Sequence, residues 1–434
     1  MRYSEMSAEQ LKAELASLRA AFEDFKGRGL KLNMARGKPS PEQLDLTMGI
    51  MDTLGANDIL LDADGEDCRN YGQLRGIPEA RSLFGELLGV PAANVIAGGN
   101  SSLTMMFDSV ARSVSFGVRG SEPWCRQEGC KFLCPSPGYD RHFAVTEAFG
   151  IINQPVAMLA DGPDMDEIER LVNSDASVKG VWCVPKYSNP QGITYSDAVV
   201  RRFAALRPAA PDFRIYWDNA YAVHDLYPGH GDSLLNIKEA CDAAGSPDIW
   251  LMFASTSKVS FAGGGVAALA SSEANLAEVE QIMSLQTIGP DKVNQLRHVR
   301  WAEALGGGKG QAAAGVHVQM ARLAGILAPK FAVVLETLER ELAGLEIATW
   351  ASPQGGYFIS VEAMPQTAKR AVQLAKEAGV SLTPAGATWP YKNDPADSSI
   401  RIAPSYPGLE ELGLASELLC LCLRIAAAER LLAG

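Results

Sequence analysis

The sequence is poor in the residues that usually hold metals. It has five histidines and no HExxH, and its eight cysteines (Cys68, Cys125, Cys130, Cys134, Cys183, Cys241, Cys420, Cys422) form no CxxC pair. No zinc site is expected. Positive charge is also scarce: 39 lysines and arginines stand against 51 acids, a net charge of −12. Such a surface neither neutralises phosphates nor attracts anionic lipid, which argues against nucleic acid or a membrane as partner. No apolar run reaches the roughly 18 to 20 residues of a bilayer span, and the first residues lack the apolar core of a secretory signal. The cytoplasm is the expected compartment, with small molecules and copies of the chain as partners.

What the chain has is apolar residues, 47% over 434 positions, enough for a large core and more than one domain. Ser7 and Gln10 form a capping-box pattern before Leu11, Leu15, Leu18, Phe22 and Phe25, an amphipathic helix that ties the N-terminal arm to the body or to a second subunit. The stretch RGKPSPEQLDL (36–46) cannot be one helix. Its Arg36, Gly37 and Lys38 read either as a surface loop or as an anion-binding turn, and the proline after Lys38 excludes a P-loop.

From about residue 70 to 270, short apolar runs alternate with helical patterns, as in an α/β domain with a mostly parallel sheet. Seven strands are expected: Val95–Ala97, Phe132–Cys134, Ile151–Met158, Val181–Val184, Ile215–Trp217, Ile249–Phe253 and Val266–Ala270. Ligands of such sheets gather at the carboxyl ends of the strands. GGNSSL (98–103) follows the first and opens a helix, either as a plain N-cap or as an anion site. PSPGYDRH (135–142), PKYSNPQG (185–192) and Asp218-Asn219-Ala220-Tyr221 follow others. Asp218 reads as a helix cap or as a buried charge that needs a partner.

FASTSKVSFAGGG (253–265) sets Lys258 at a strand end before three glycines. A lysine in a low-dielectric pocket loses proton affinity, and its free amine can condense with an aldehyde. Ser255 to Lys258 is formally SxxK, but SDN and KTG are absent. An aldehyde cofactor bearing a phosphate and a ring nitrogen accounts for more of the strand ends. Lys258 takes the aldehyde, residues 99–102 with Ser255 the phosphate, Asp218 the ring nitrogen and Tyr139 the ring face; Asn189 and Tyr221 reach a ring hydroxyl.

Beyond residue 270 the pattern is helical, with one long helix expected over Ala321–Leu345. Strands at Gly356–Val361, Val380–Thr383 and Ser399–Ala403, a helix at Thr367–Glu377 and a helical tail from Leu409 complete the chain.

The ordered series GNSSL, PGYDRH, YSNPQG, DNAY, STSK and SSIRIAPSYP resembles the class I, fold-type I pyridoxal-phosphate aminotransferases. RGKPSPEQLDL and PDKVNQLRH (290–298) are similar to a bacterial group of atypical aspartate aminotransferases. The resemblance implies a large domain with a mostly parallel seven-stranded sheet (51–320), an N-terminal arm with part of a small domain (1–50) and a C-terminal small α+β domain (321–434). It implies transfer of an amino group between aspartate, or another amino acid, and 2-oxoglutarate by a ping-pong cycle.

By the same resemblance Lys258, Asp218 and Tyr221 are catalytic. Pyridoxal 5′-phosphate meets Lys258, Asn100, Ser101, Ser102, Tyr139, Asn189, Asp218, Tyr221 and Ser255, with Tyr71 reaching the neighbouring subunit of a homodimer. His142 stands behind Asp218. Arg401 clamps the substrate carboxylate, with Gly37, Asn189 and Lys38 beside it. Gly264, Gly265 and Val266 stand where such enzymes usually carry a phosphate-binding arginine, and Arg36 is the substitute cation expected. Lys38, Lys292 and Arg297 are available to read a side-chain carboxylate. The fold alone also admits a β-lyase or decarboxylase, or a non-catalytic regulator-like protein.

Overall fold

In chain order the strands are β1 (Leu32–Asn33), β2 (Val95–Ala97), β3 (Lys131–Ser136), β4 (Ile152–Leu159), β5 (Gly162–Pro163), β6 (Val178–Cys183), β7 (Arg214–Asp218), β8 (Trp250–Ser255), β9 (Ala267–Ser271), β10 (Ala348–Trp350), β11 (Ile359–Ala363), β12 (Val380–Ser381) and β13 (Ser399–Ile402). They come from a computed structural model that describes residues 1–433. All seven expected strands join one sheet in the order β2-β9-β8-β7-β6-β3-β4, and the two-residue β5 adds an eighth at the edge. β8, β7, β6, β3 and β4 run parallel; β9 is antiparallel to β8 and β2.

A parallel sheet covered on both faces needs apolar residues at every position, and the sequence IYW of β7 supplies them. Ile215 and Trp217 enter the core on one face and Tyr216 the core on the other. The same alternation puts Met252 on the first face and Leu251 and Phe253 on the second.

A third core joins the chain ends. Leu11, Leu15, Leu18 and Phe22 of helix Ala8–Gly27 pack with Leu418 and Leu419 of helix Leu409–Leu432, and Arg424 bonds Glu14 at 2.7 Å. Ser7 and Gln10 make the expected capping box. Strand β1 pairs with β12, and β11 lies between β10 and β13. β1, β5 and β10, of two or three residues each, were not expected. The strand expected from Gly356 begins only at Ile359, since Gly356 is turned at φ +83° against Tyr187.

The long helix spans Ala312–Leu342 and starts earlier than the apolar run suggested. Its first turns lie in the core of the large sheet through Val316, Met320 and Leu323, and its later turns in the third core through Phe331, Val334 and Leu338. It is long and apolar enough to cross a bilayer, but these side chains are buried in the protein. Gly315 lets it approach helix Lys292–Gly306 closely, since a Cβ there would overlap the Ala302 carbonyl oxygen.

The motif PDKVNQLRH is the start of helix Lys292–Gly306, capped by Asp291, and it braces the loop after β8. Asn294 Nδ2 donates to the carbonyls of Gly264 (3.2 Å) and Gly265 (2.9 Å). His298 Nδ1 lies 2.8 Å from the Asn294 carbonyl and so carries the proton, which leaves Nε2 to accept from Ser260 Oγ at 2.9 Å. Burial pushes His298 down to about 4 and His224 down to about 3. Both are neutral when folded.

Because both folded values lie below the ordinary value of about 6.5, the unfolded chain binds more protons between about pH 4 and 6.5. Stability then rises with pH in that window and falls on acidification, by up to about 1.4 kcal/mol per pH unit for each histidine. Denaturant midpoints measured from pH 7.5 to 4.5 should drop accordingly, and His298→Gln should make that drop shallower. An equally steep drop in the variant would contradict the assignment.

Candidate active site

The carboxyl ends of β3, β6, β7 and β8 open into a cleft of about 700 Å³. Its opposite wall comes from the third core, through residues 35–38 after β1, Thr383 after β12, and Arg401 on β13. Antiparallel pairing of Arg401 with Ser360 of β11 fixes that arginine's backbone.

Asp218 ends β7 and is 3% exposed. Its Oδ2 lies 2.9 Å from His142 Nε2, whereas Oδ1 is buried without any hydrogen-bond partner. No helix starts after it, so the helix-cap reading is excluded. The His142 ring is stacked on Trp182 at 4.5 Å and meets the edge of Tyr139 at 4.9 Å. A buried carboxylate oxygen left unpaired is costly, about 1–3 kcal/mol or more. The cost vanishes when a cationic donor arrives.

Lys258 lies in the loop after β8, its Nζ 5.1 Å from the centre of the Tyr221 ring and 5.7 Å from that of Tyr357. Burial lowers its proton affinity and the charge of Asp218 partly restores it. Burial also raises both nearby phenols, Tyr221 far up and Tyr139 to about 12, with Asp218 adding to the effect on each. Neither tyrosine ionises near neutrality.

Helix Ser102–Phe116 begins at Ser101 without a side-chain cap, so its first amides are free where Ser101 and Ser102 line the cleft. Ser255 Oγ donates to Ser257 Oγ at 3.0 Å on the same wall. Free amides at a helix start and nearby hydroxyls suit a phosphate. Asn100 differs from the expectation: it is exposed, does not line the cleft, and donates to the Gly263 carbonyl at 3.3 Å. Arg36 lines the cleft, exposed and without an ion pair among the described residues.

Arg401 is buried over the Phe358 ring, 4.9 Å from its centre. Its Nη1 donates to Asp140 Oδ1 at 3.0 Å and to Asn189 Oδ1 at 3.1 Å. Gly37 must lack a side chain here, because a Cβ would press into the ring of Phe358. Lys38 lines the cleft with Nζ 3.9 Å from the centre of the Tyr406 ring.

Three further expected residues lie off this chain's own cleft. Tyr71 is 79% exposed, and its carbonyl accepts from Lys292 Nζ at 3.2 Å. Lys292 is itself buried, and Arg297 donates to Asn294 Oδ1 at 2.5 Å. Of the three cations expected to read a side-chain carboxylate, only Lys38 faces the cleft. Sequence reasoning missed Asp140, Arg141, Thr383, Trp389 and Lys392, which also line it. The first two stood inside PGYDRH without an assigned task.

The residues fit pyridoxal phosphate: an unpaired buried oxygen for the ring nitrogen, uncapped helix amides for the phosphate, an aromatic beside them, and an amine of lowered proton affinity. Among the described residues no cluster of potential metal ligands occurs.

The profile of the aspartate amino-transferase family matches residues 6–434. A Mycolicibacterium smegmatis protein named "Putative aminotransferase" is 48% identical over 434 residues, 100% of this chain and 99% of that one. The crystal structure of an aspartate transaminase from Corynebacterium glutamicum is similar at a TM-score of 0.94, with 44% identity and 99% of each chain covered. The α-aminoadipate aminotransferase of Thermus thermophilus, solved with N-(5′-phosphopyridoxyl)-L-leucine, shares the fold at 20% identity and a TM-score of 0.73, over 93% of this chain and 95% of that one. With fold, cleft and relatives in agreement, this chain belongs to the aspartate aminotransferase family and is a pyridoxal-phosphate-dependent aminotransferase of fold type I.

Proposed function

We propose that the enzyme moves an amino group between aspartate and 2-oxoglutarate in two half-reactions at one site, a ping-pong cycle. The observation that carries this reading is the presence of Lys258, Arg401 and the unpaired Asp218 Oδ1 on one cleft. The choice of aspartate is supported by the name of the 44% identical Corynebacterium glutamicum relative, "Aspartate aminotransferase". Lys38, exposed on the cleft wall, is available to a second carboxylate.

When bound, pyridoxal phosphate supplies an aldehyde for the substrate amine and a ring that accepts negative charge from the substrate Cα. The remaining tasks fall to side chains. Lys258 holds the aldehyde between turnovers and then, as a free amine, moves the proton at Cα; its lowered proton affinity keeps a larger share unprotonated. Asp218 keeps the ring nitrogen protonated, and His142 holds Asp218 in place through Oδ2. Tyr139 covers the ring, while Tyr221 and Asn189 bind its oxygen.

Ser101, Ser102 and Ser255 hold the phosphate, with Arg36 as the cation and Asn100 bracing the loop through Gly263. Arg401 clamps the α-carboxylate, with the backbone at Gly37 beside it. The same reading divides the chain into an arm (1–50), a large domain (51–320) and a small domain (321–434). It sets the enzyme in the cytoplasm as a homodimer in which the exposed Tyr71 serves the partner's phosphate.

Lys258→Ala is expected to lower turnover by about 10⁴-fold, the upper range of acid–base contributions, and Asp218→Asn by about 10²-fold or more. Single-turnover absorbance changes with aspartate measure both. Near-native rates in Lys258→Ala would end the mechanism, and activity with aromatic or aliphatic amino acids but not aspartate or glutamate would end the substrate assignment.

The composite dimer has its own test. Tyr71→Phe should weaken cofactor retention about tenfold, the scale of one hydrogen bond to a charged group. Subunit exchange between Lys258→Ala and Tyr71→Phe should then restore one native site per hybrid. No gain on mixing would mean that Tyr71 serves its own chain or none.

A further inference from the structure

One ion pair in the cleft has no part in the roles assigned above. Arg401 is 7% exposed, and with the Phe358 ring on one side of its guanidinium, partners must reach it mostly in its plane. Nη1 donates to Asp140 Oδ1 at 3.0 Å and to Asn189 Oδ1 at 3.1 Å. Nε and Nη2 share Thr383 Oγ1, each at 3.3 Å, and that hydroxyl donates to the Ala35 carbonyl at 2.8 Å. Asp140 is the only anion within ion-pair distance of Arg401 among the described residues.

We propose that Asp140 is the counter-ion of Arg401 in the substrate-free enzyme: its carboxylate holds a place on Arg401 that the substrate carboxylate takes, and binding exchanges one carboxylate for another. This rests on the reading of Arg401 as the substrate clamp. A guanidinium so buried is costly to leave without an anion, and the exchange keeps it neutralised with and without substrate. A carboxylate that binds two N–H groups of a fork must displace a group already there. Asn189 and Thr383 are buried, whereas the Asp140 side chain is 31% exposed and can turn into the cleft.

The released carboxylate has somewhere to go. Asp140 is the first residue of helix Asp140–Ala148, which starts at Tyr139 without a side-chain cap. Its first-turn amides favour negative charge. Asp140 is thereby a specificity-determining residue. Every carboxylate ligand competes with it, so a monocarboxylate gains little, and a ligand with further contacts in the cleft, at a second carboxylate or at Lys258, wins the exchange.

Calorimetric titration of the holoenzyme with acetate and with succinate, which lacks an amino group, tests this. Asp140→Asn and Asp140→Ser should each bind both anions about tenfold more tightly than the native enzyme, with acetate gaining at least as much as succinate. Unchanged or weaker binding in both variants would mean that Asp140 only orients Arg401, and would overturn the inference. Arg401→Lys separates the two readings. If it binds succinate as the native enzyme does, the clamp role falls and the exchange with it; if it binds weakly while Asp140→Asn gains nothing, the exchange alone falls.

Discussion

Asp218 has one oxygen committed to His142 and the other committed to nothing, and most of the site is arranged around that asymmetry. His142 is stacked on Trp182, a side chain of the central sheet, and the one ring nitrogen it turns to the carboxylate meets only Oδ2. The charge that remains reaches Lys258 and both cleft tyrosines. It favours protonated lysine where burial opposes it, and it adds to the burial that keeps the phenols neutral. Burial and one carboxylate together thus set the charge state of these groups in a cleft that several strands build.

Much of this was legible in the sequence. The seven strands of the large sheet could be read because each is a short apolar run bounded by turn residues, and a parallel sheet requires that pattern. Strand ends in such a sheet converge, so Asp218, Tyr139, Asn189 and Lys258 could be gathered without knowing a single distance. What could not be read was contact across the two walls. Asp140 sits in a recognisable motif, but nothing local says that it meets Arg401, 261 residues away. The two-residue pairing of β1 with β12 is equally silent, because it depends on Gly379 being pressed against the Leu30 carbonyl.

The absence of an arginine after Lys258 has a structural counterpart. The carbonyls of Gly264 and Gly265 are held by Asn294, Val266 donates to Thr256 Oγ1 at 2.9 Å, and a Cβ on Gly265 would press on that hydroxyl. The segment is pinned from below by helix Lys292–Gly306 through His298 and Ser260. The backbone that turns into β9 is fixed by these bonds, and Ser255 and Ser257 put hydroxyls on the cleft wall beside it. Two stretches that looked unrelated in sequence, SKVSFAGGG and PDKVNQLRH, are one structural unit.

The third core takes Leu11, Leu15 and Leu18 from one end of the chain and Leu418, Leu419 and Leu423 from the other. During synthesis the first helix emerges some four hundred residues before the surface that covers it. Its apolar stripe must wait, exposed to water and to other chains, until helix Leu409–Leu432 leaves the ribosome. The large sheet can form while translation proceeds, but the wall that carries Arg401 closes only once helix Leu409–Leu432 has been made. An aborted chain that stops short of Leu409 would keep every strand-end group of the large sheet but lack Leu412, Leu418, Leu419 and Leu423 of the core that backs Arg401.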